Sequence, residues 1–439
     1  MFYEGSLPYG ISSYHAVSSE TIFADSGERI NFYDVSLHVL SEIFPLNIVS
    51  FVFPIILGML SVFLFSFILQ ANNSSAVFSN ISLLIFIFSP LTIYTFGFSN
   101  QFSLIVFLLT LGIALFHKKR LFILSLPVFT LLAFFGIKIA FFVMLLVFAY
   151  SMYIDKKKRY ILVIALMLFT FLIQLLFPAT FGVADYPVEN KTAELISDLG
   201  GMKGIGILHF AVFLLGLVVF WFGAKTNYID KMLILVFILS VFLVDYSFIF
   251  LMNMIITVIG AYGVNSLIRR KWHSIELKQI TLLIIACGFI FSTLSYIDRI
   301  FSLNPTLEQV ESLRFMRTSL NPGKVFSHED YGFMIRQISG NDVLKDSFSE
   351  NENILESDLE QIYYSARLST TRELLKKYNV SYLWITQDMK QGKIWHDDDD
   401  GLLFLLRNNQ TFELVYEESP SVEVWKVIWV TRYYNFVKN

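Results

Sequence analysis

Acidic side chains crowd the start of this chain. Glu4, Glu20, Asp25, Glu28, Asp34 and Glu42 stand in the first 45 residues, with Arg29 opposing them. Carboxylates on a polar segment can take a proton as general base or coordinate a hard cation, and Glu4, Asp25 and Asp34 are the candidates here. Tyr14-His15 offers a hydroxyl next to an imidazole, suited to proton handling or to contacts with a bilayer surface. Farther along, Lys138, Lys203 and Asp245 are isolated charges in or beside apolar sequence. A lysine so placed can meet a phosphate, and snorkelling to the interface explains Lys138 equally well. Asp245 is either an intramembrane functional acid or a wetted turn residue. His328, Asp330 and Tyr331 lie in a His-Glu-Asp-Tyr-Gly turn, where Asp330 can bind a ligand or simply shape the turn.

Other groups carry less. His396-Asp397-Asp398-Asp399-Asp400-Gly401 lacks the alternating spacing of an EF-hand loop, because adjacent acids cannot all face one ion. It reads as a solvated loop. Asn190-Lys191-Thr192, Asn379-Val380-Ser381 and Asn409-Gln410-Thr411 are sequons at near-chance frequency. The single cysteine, Cys287, excludes an internal disulfide.

The elements that must position these groups are mostly apolar helices. The chain is 55% hydrophobic, 17% aromatic and 16% charged, with a mean hydropathy of +0.60, against about 25% charged residues in soluble domains. A net charge of -3 without a basic face excludes nucleic acid as a natural partner. Apolar runs give about ten spans, at 46–70, 77–97, 101–116, 121–135, 137–153, 160–177, 204–222, 231–249, 251–268 and 276–297. The stretches 121–153 and 231–268 are too long for one helix and too short for two ordinary ones. Each therefore reads as a hairpin of short helices, broken at Phe135-Gly136-Ile137-Lys138 and at Asp245-Tyr246-Ser247.

With those hairpins, the basic clusters at 117–120, 156–159 and 269–271, together with Lys225 and Lys231, share one side, the cytoplasm. Residues 1–45, the loop 178–203 and residues 298–439 then share the outer side. An outer 1–45 segment implies a preceding span or translocation as a short tail.

The last part, 298–439, reads as α/β. Thr306-Leu307-Glu308-Gln309 has capping-box spacing ahead of Val310, Leu313 and Met316. A second such box is expected at Thr370-Thr371-Arg372-Glu373. Strands are expected at Lys324-Val325-Phe326 and Val380–Thr386, a short helix at 401–408, and a hairpin from 412–416 and 422–428. Leu313, Leu375, Tyr382 and Trp384 should be core. The domains are thus 1–45, 46–297 and 298–439: a polytopic α-helical membrane bundle with an extracytoplasmic α/β domain.

This order of parts resembles the GT-C class of membrane glycosyltransferases, and within it archaeal proteins related to the catalytic subunit of oligosaccharyltransferase. Leu7-Pro8-Tyr9-Gly10 through Tyr14-His15 is similar to that family's first outer loop. Asp330-Tyr331-Gly332 is similar to its Trp-Trp-Asp-Tyr-Gly segment, with His328-Glu329 in place of the tryptophans. Lys377-Tyr378-Asn379-Val380-Ser381-Tyr382-Leu383 and Phe412-Glu413-Leu414-Val415-Tyr416 match patterns in the soluble domains of such archaeal proteins.

The resemblance implies sugar transfer from a polyprenyl-phosphate-linked donor to an acceptor at the outer leaflet of the plasma membrane. It implies catalytic roles for Asp34, Glu4 and His15. Donor or acceptor contacts then fall to Tyr14, Lys138, Lys203, Asp245, His328, Asp330 and Tyr331. Membrane lipid and the lipid-linked donor are the expected partners, with Mg or Mn as the expected ion.

The family's acids are not matched, however. Ser12 or Ser13 precedes Tyr14, Ser99-Asn100-Gln101 occupies the second outer turn, and Asp245-Tyr246-Ser247-Phe248-Ile249 replaces a late-span arginine. A divalent ion should bind weakly, and the metal ligands stay unassigned. The alternative is a non-catalytic GT-C relative serving as scaffold or lipid-linked-glycan binder. The sidedness is testable: an impermeant thiol reagent on intact cells should label Ser26→Cys, Asn190→Cys and Ser349→Cys alike, and unequal labelling refutes the hairpin topology.

Overall fold

The computed structural model describes residues 32–72, 74–118, 120–153, 195–199, 203–223, 228–302, 305–346, 353–397, 399–418 and 421–429, with Leu168 and Leu172 as isolated positions. The candidate residues Glu4, Tyr14 and His15, the span 160–177 (apart from Leu168 and Leu172) and the cluster 156–159 lie outside them. The chain divides into two compact units, 1–303 and 304–439.

The first unit is helical. Its helices are α1 (Phe32–Ser41), α2 (Leu46–Ala71), α3 (Ala76–Ile87), α4 (Pro90–Gly97), α5 (Gln101–His117), α6 (Phe122–Ala133) and α7 (Ile137–Tyr153). After a short 3-10 turn at Ser197–Leu199 come α8 (Ile207–Phe222), α9 (Tyr228–Leu243), α10 (Phe248–Arg269) and α11 (Ile275–Ser302). Among the described residues α2, α10 and α11 are each long and apolar enough to cross a membrane, and α3 with α4 passes as one bent span. The count of about ten spans is therefore not reached on these criteria.

Both expected hairpin breaks form. Residues 134–136 separate α6 from α7, with Gly136 at φ 135°, and 244–247 separate α9 from α10. The run 77–97 is not one helix. It bends by 60° between α3 and α4 because Pro90 has no N–H to give and holds Ser89 in an extended conformation.

Side chains from α10 and α11 join this bend, one of them on a freed backbone carbonyl. Thr293 donates to the Phe88 carbonyl at 2.7 Å, Ser89 Oγ to Asn253 Oδ1 at 3.0 Å, and Asn253 Nδ2 to Thr92 Oγ1 at 2.8 Å. α8 and α10 cross at Gly216 and Gly263. A Cβ on Gly216 would lie 1.9 Å from the Ile259 carbonyl oxygen, so only glycine permits this approach.

The second unit holds α12 (Leu307–Ser319), β1 (Lys324–Phe326), α13 (Gly332–Ser339), β2 (Asp342–Val343), α14 (Asn353–Tyr364), α15 (Leu368–Lys377), β3 (Val380–Thr386), α16 (Gly401–Leu406), β4 (Phe412–Glu418) and β5 (Val422–Val427). The sheet order is β2-β1-β3-β5-β4. β2, β1 and β3 run parallel, while β5 and β4 form the expected antiparallel hairpin. β3 is central and buried on both faces, as its apolar composition requires.

The capping box at Thr306 and Gln309 closes in both directions. The one expected at Thr370 does not form. α15 starts three residues earlier, with Arg367 at its N-cap and Leu368 packed on the core, and Thr371 Oγ1 bonds back to the Arg367 carbonyl at 3.3 Å. Asn379 ends α15 at φ 56°, a left-handed position that asparagine tolerates. α13, β2 and α14 were not anticipated by the periodicity.

Leu313, Leu375, Tyr382 and Trp384 are all buried, and Trp384 Nε1 donates to Ser312 Oγ at 2.8 Å, tying β3 to α12. Leu313 is fully inaccessible. Leu313→Ala should therefore destabilise the unit by about 2–5 kcal/mol, read as a lowered unfolding midpoint of the purified chain.

Candidate functional site

In the helical unit, several helix termini meet at one end. α1 packs there through Tyr33, whose hydroxyl lies 2.9 Å from Ser99 Oγ, and through Phe32, whose ring is 6.0 Å from that of Phe135. Asp34 sits on α1 between these contacts and the helix's C-terminal half. Phe135 belongs to the α6–α7 break, which also delivers Lys138. Lys138 Nζ reaches Asp245 Oδ2 at 3.1 Å, so the two hairpin breaks are joined by an ion pair. Asp245 Oδ1 also accepts the Ser247 N–H at 2.9 Å, shaping the entry to α10.

Phe142 braces the junction, with its ring 5.4 Å from Phe237 and 4.5 Å from Phe248. Tyr246 donates to the Lys203 carbonyl at 3.2 Å, bringing the segment before α8 to the same end. The Lys138–Asp245 pair, the backbone at Lys203 and the helix bearing Asp34 thus lie at one end.

Asn100 takes no part in ligand chemistry. It is buried, donates to the carbonyls of Tyr94, Thr95 and Phe98 at 3.1–3.2 Å, and accepts the Phe102 N–H at 2.9 Å. Its amide is fully used in joining α4 to α5. Ser99 is engaged with Tyr33. No group of three metal-ligating side chains occurs among the described residues. These donors do not fit a carboxylate cage for a divalent ion.

In the α/β unit, the loops that follow the carboxyl ends of the parallel strands β1 and β3 meet, the usual location of a site in such sheets. The first carries His328, Asp330 and Tyr331. The second carries Thr386, Asp388 and Lys393, which sequence reasoning missed. The signal was positional: Asp388 lies just past the end of the most strongly strand-like run in the domain. Tyr331 donates its hydroxyl to Asp388 Oδ2, and Thr386 donates to Asp388 Oδ1. Lys393 Nζ is 2.9 Å from Asp330 Oδ2 and 3.8 Å from Asp388 Oδ2, and lies 4.5 Å over the Tyr331 ring. His328 Nδ1 accepts the Asp330 N–H at 3.2 Å and lies 3.4 Å from its carboxylate.

A π-helical kink at Met389–Lys393, with Gly392 at φ 111°, turns Lys393 back onto this cluster. Gly332 is required where the turn seats on Lys345-Asp346, since a Cβ there would lie 2.5 Å from Asp346 Cβ. Lys345 holds the turn from outside, 2.8 Å from Glu329 and 3.3 Å from Glu356.

These contacts set the protonation of the cluster. Burial raises the Tyr331 phenol well above its usual range, and the neighbouring Asp388 carboxylate adds to the effect. Burial opposes the Asp388 charge, but hydrogen bonds from Thr386 and Tyr331 and the Lys393 ammonium outweigh it and hold the carboxyl below its ordinary value. Burial lowers the His328 imidazole against the pull of Asp330. Burial thus favours the neutral phenol and the neutral imidazole, and the hydrogen bonds favour the Asp388 carboxylate.

A histidine whose folded value is depressed gives stability that is present above its unfolded value of 6.5 and lost as the pH falls below it. The unfolding midpoint should therefore drop between pH 7.5 and 5.5, and His328→Gln should flatten that part of the profile.

Compared with known proteins, no family model matches the chain, and no curated protein matches it. Solved structures do. The Archaeoglobus fulgidus oligosaccharyltransferase in the apo form aligns with TM-score 0.53 at 12% identity over 97% of this chain and 72% of that chain. The complex of that enzyme with Zn and sulfate gives 0.54 at 13% over 97% and 70%. Archaeal oligosaccharyltransferase AglB from the same organism, with an inhibitory peptide and a dolichol-phosphate, gives 0.51 at 12% over 88% and 67%. At these identities the shared property is the fold: a helical part with membrane-spanning helices followed by a C-terminal α/β unit.

Proposed function

We propose that the protein is a GT-C-type membrane glycosyltransferase that moves a sugar from a polyprenyl-phosphate-linked donor to an acceptor. The observation that carries this reading is the fold likeness over nearly the whole chain to proteins named as oligosaccharyltransferases, one of them holding a dolichol-phosphate. Fold alone does not fix chemistry. The Lys138–Asp245 pair, the backbone at Lys203 and α1, all at one end of the helical unit, add the local support.

In the proposed reaction the bond between the sugar's anomeric carbon and the phosphate oxygen breaks, and its electron pair stays on the phosphate. Lys138 and Lys203 offset that charge. The acceptor's nucleophilic atom bonds to the anomeric carbon and loses its proton to a carboxylate of the first segment, Asp34 or Glu4, with His15 as relay and Tyr14 as a binding contact. The Asp330–Tyr331 turn and His328 hold the acceptor, with Asp388 and Lys393 fixing the turn. Because the described donors do not fit a divalent-ion cage, no step is routed through a metal. In this reading the protein is an integral multi-pass plasma membrane protein, its α/β unit and residues 1–45 face outward, and the reaction runs at the outer leaflet.

Binding of a polyprenyl-phosphate-linked sugar to the purified protein tests this. Lys138→Met should weaken binding about tenfold through the lost charge-assisted contact. Asp245→Asn, which releases Lys138, should preserve or tighten it. Mg²⁺ or Mn²⁺ should change the affinity little. Unaltered binding in Lys138→Met, or a strict metal requirement, overturns the arrangement.

A further inference from the structure

The α/β unit also has a concave feature lined by none of the residues of the Tyr331 cluster. It is an open groove of about 650 Å³ between the start of α15 and the turn after α16, walled by Leu368, Phe404, Arg407, Asn408, Asn409 and Gln410. We propose that this groove binds a short, uncharged oligosaccharide.

The first observation is Phe404. Leu402, Leu403, Leu405 and Leu406 of the same helix are buried, while the Phe404 ring is 48% exposed. An exposed aromatic ring in a concave setting matches the apolar C–H face of a pyranose.

The second observation is the polar lining. Asn408 Oδ1 accepts the Gln410 N–H at 3.0 Å, leaving its NH₂ group to donate. The Asn409 and Gln410 side chains are exposed and make no hydrogen bond among the described residues. Side-chain amides both donate and accept, which suits hydroxyl groups that do the same.

Charge decides between ligand classes. The Arg407 guanidinium lies 5.9 Å from the Phe404 ring centre and pairs with Asp399, and Asp397 and Asp400 are exposed close by in sequence. The lining cation, Arg407, is thus already paired, and an anion would have to compete with Asp399 for it. An apolar tail would leave the amides without partners. A neutral polyhydroxylated ligand satisfies both halves of the groove, and the volume lies in the range of small-ligand sites. The assignment stands on the groove alone and not on the transferase reading.

Two sources supply that chemistry: a glycan attached to Asn409, whose Asn409-Gln410-Thr411 is a sequon, or a separate saccharide. The full chain, made in a host without N-glycosylation and held in detergent, is titrated with chitotriose and mannotriose and read by saturation-transfer NMR. Transfer to pyranose C–H protons is expected for at least one of them. The affinity should fall about tenfold in Phe404→Ala, and likewise in the pair Asn409→Ala with Gln410→Ala. In protein from a glycosylating host, a mass shift abolished by Asn409→Gln, together with blocked binding of free sugar, identifies an attached glycan. An unshifted mass with binding retained identifies a separate one. Absence of transfer to both sugars, or transfer unchanged in Phe404→Ala, overturns the proposal.

Discussion

Hydrocarbon offers no partner to an N–H or a C=O, so every interruption of a membrane helix must be completed from within the protein. That constraint organises the helical unit. At the α3–α4 bend Thr293 of α11 meets the Phe88 carbonyl, and Asn253 of α10 ties the side chains of Ser89 and Thr92 together. At the α4–α5 junction one residue does the whole task, Asn100, through three donated bonds and one accepted. At the α9–α10 break Asp245 caps the turn and takes Lys138 from the other hairpin. Polar side chains thus stand at each of these breaks, and those are also places where charge can face a ligand.

The α/β unit answers to a different demand. Its loops sit at the ends of parallel strands, and its charges are paired across them: Asp388 with Tyr331 and Thr386, Asp330 with Lys393, Glu329 with Lys345. Two carboxylates beside one lysine would repel if unsupported, and the hydroxyl donors disperse that charge. The turn bearing Asp330 and Tyr331 is thus braced from several sides.

Much of this was legible in residue pattern. Length limits on apolar runs put the breaks at 135–138 and 245–247, within two residues of the observed 134–136 and 244–247, and the Thr306–Gln309 spacing located α12. The bend at Ser89-Pro90 was also written there, but hydropathy windows average over a single proline, so the run passed as one span. Thr370 misled because Ser, Thr and acidic residues occur inside amphipathic helices as well as at their caps. Lys138 meeting Asp245 was beyond reach from spacing, since 106 intervening positions fold between them before the contact exists. Asp388 and Lys393 were missed because their roles depend on a π-helical kink, which leaves no periodic trace.

The crossing of α8 and α10 at Gly216 and Gly263 has a mechanical meaning. Main chain lies against main chain there, with Ile259 and Val212 packed around the contact, so the two helices are closely coupled. α10 begins just after Asp245 and ends at Arg269, a rod of about 33 Å for its 22 residues. It therefore joins the acidic turn at one end to the basic end at the other as a single stiff element.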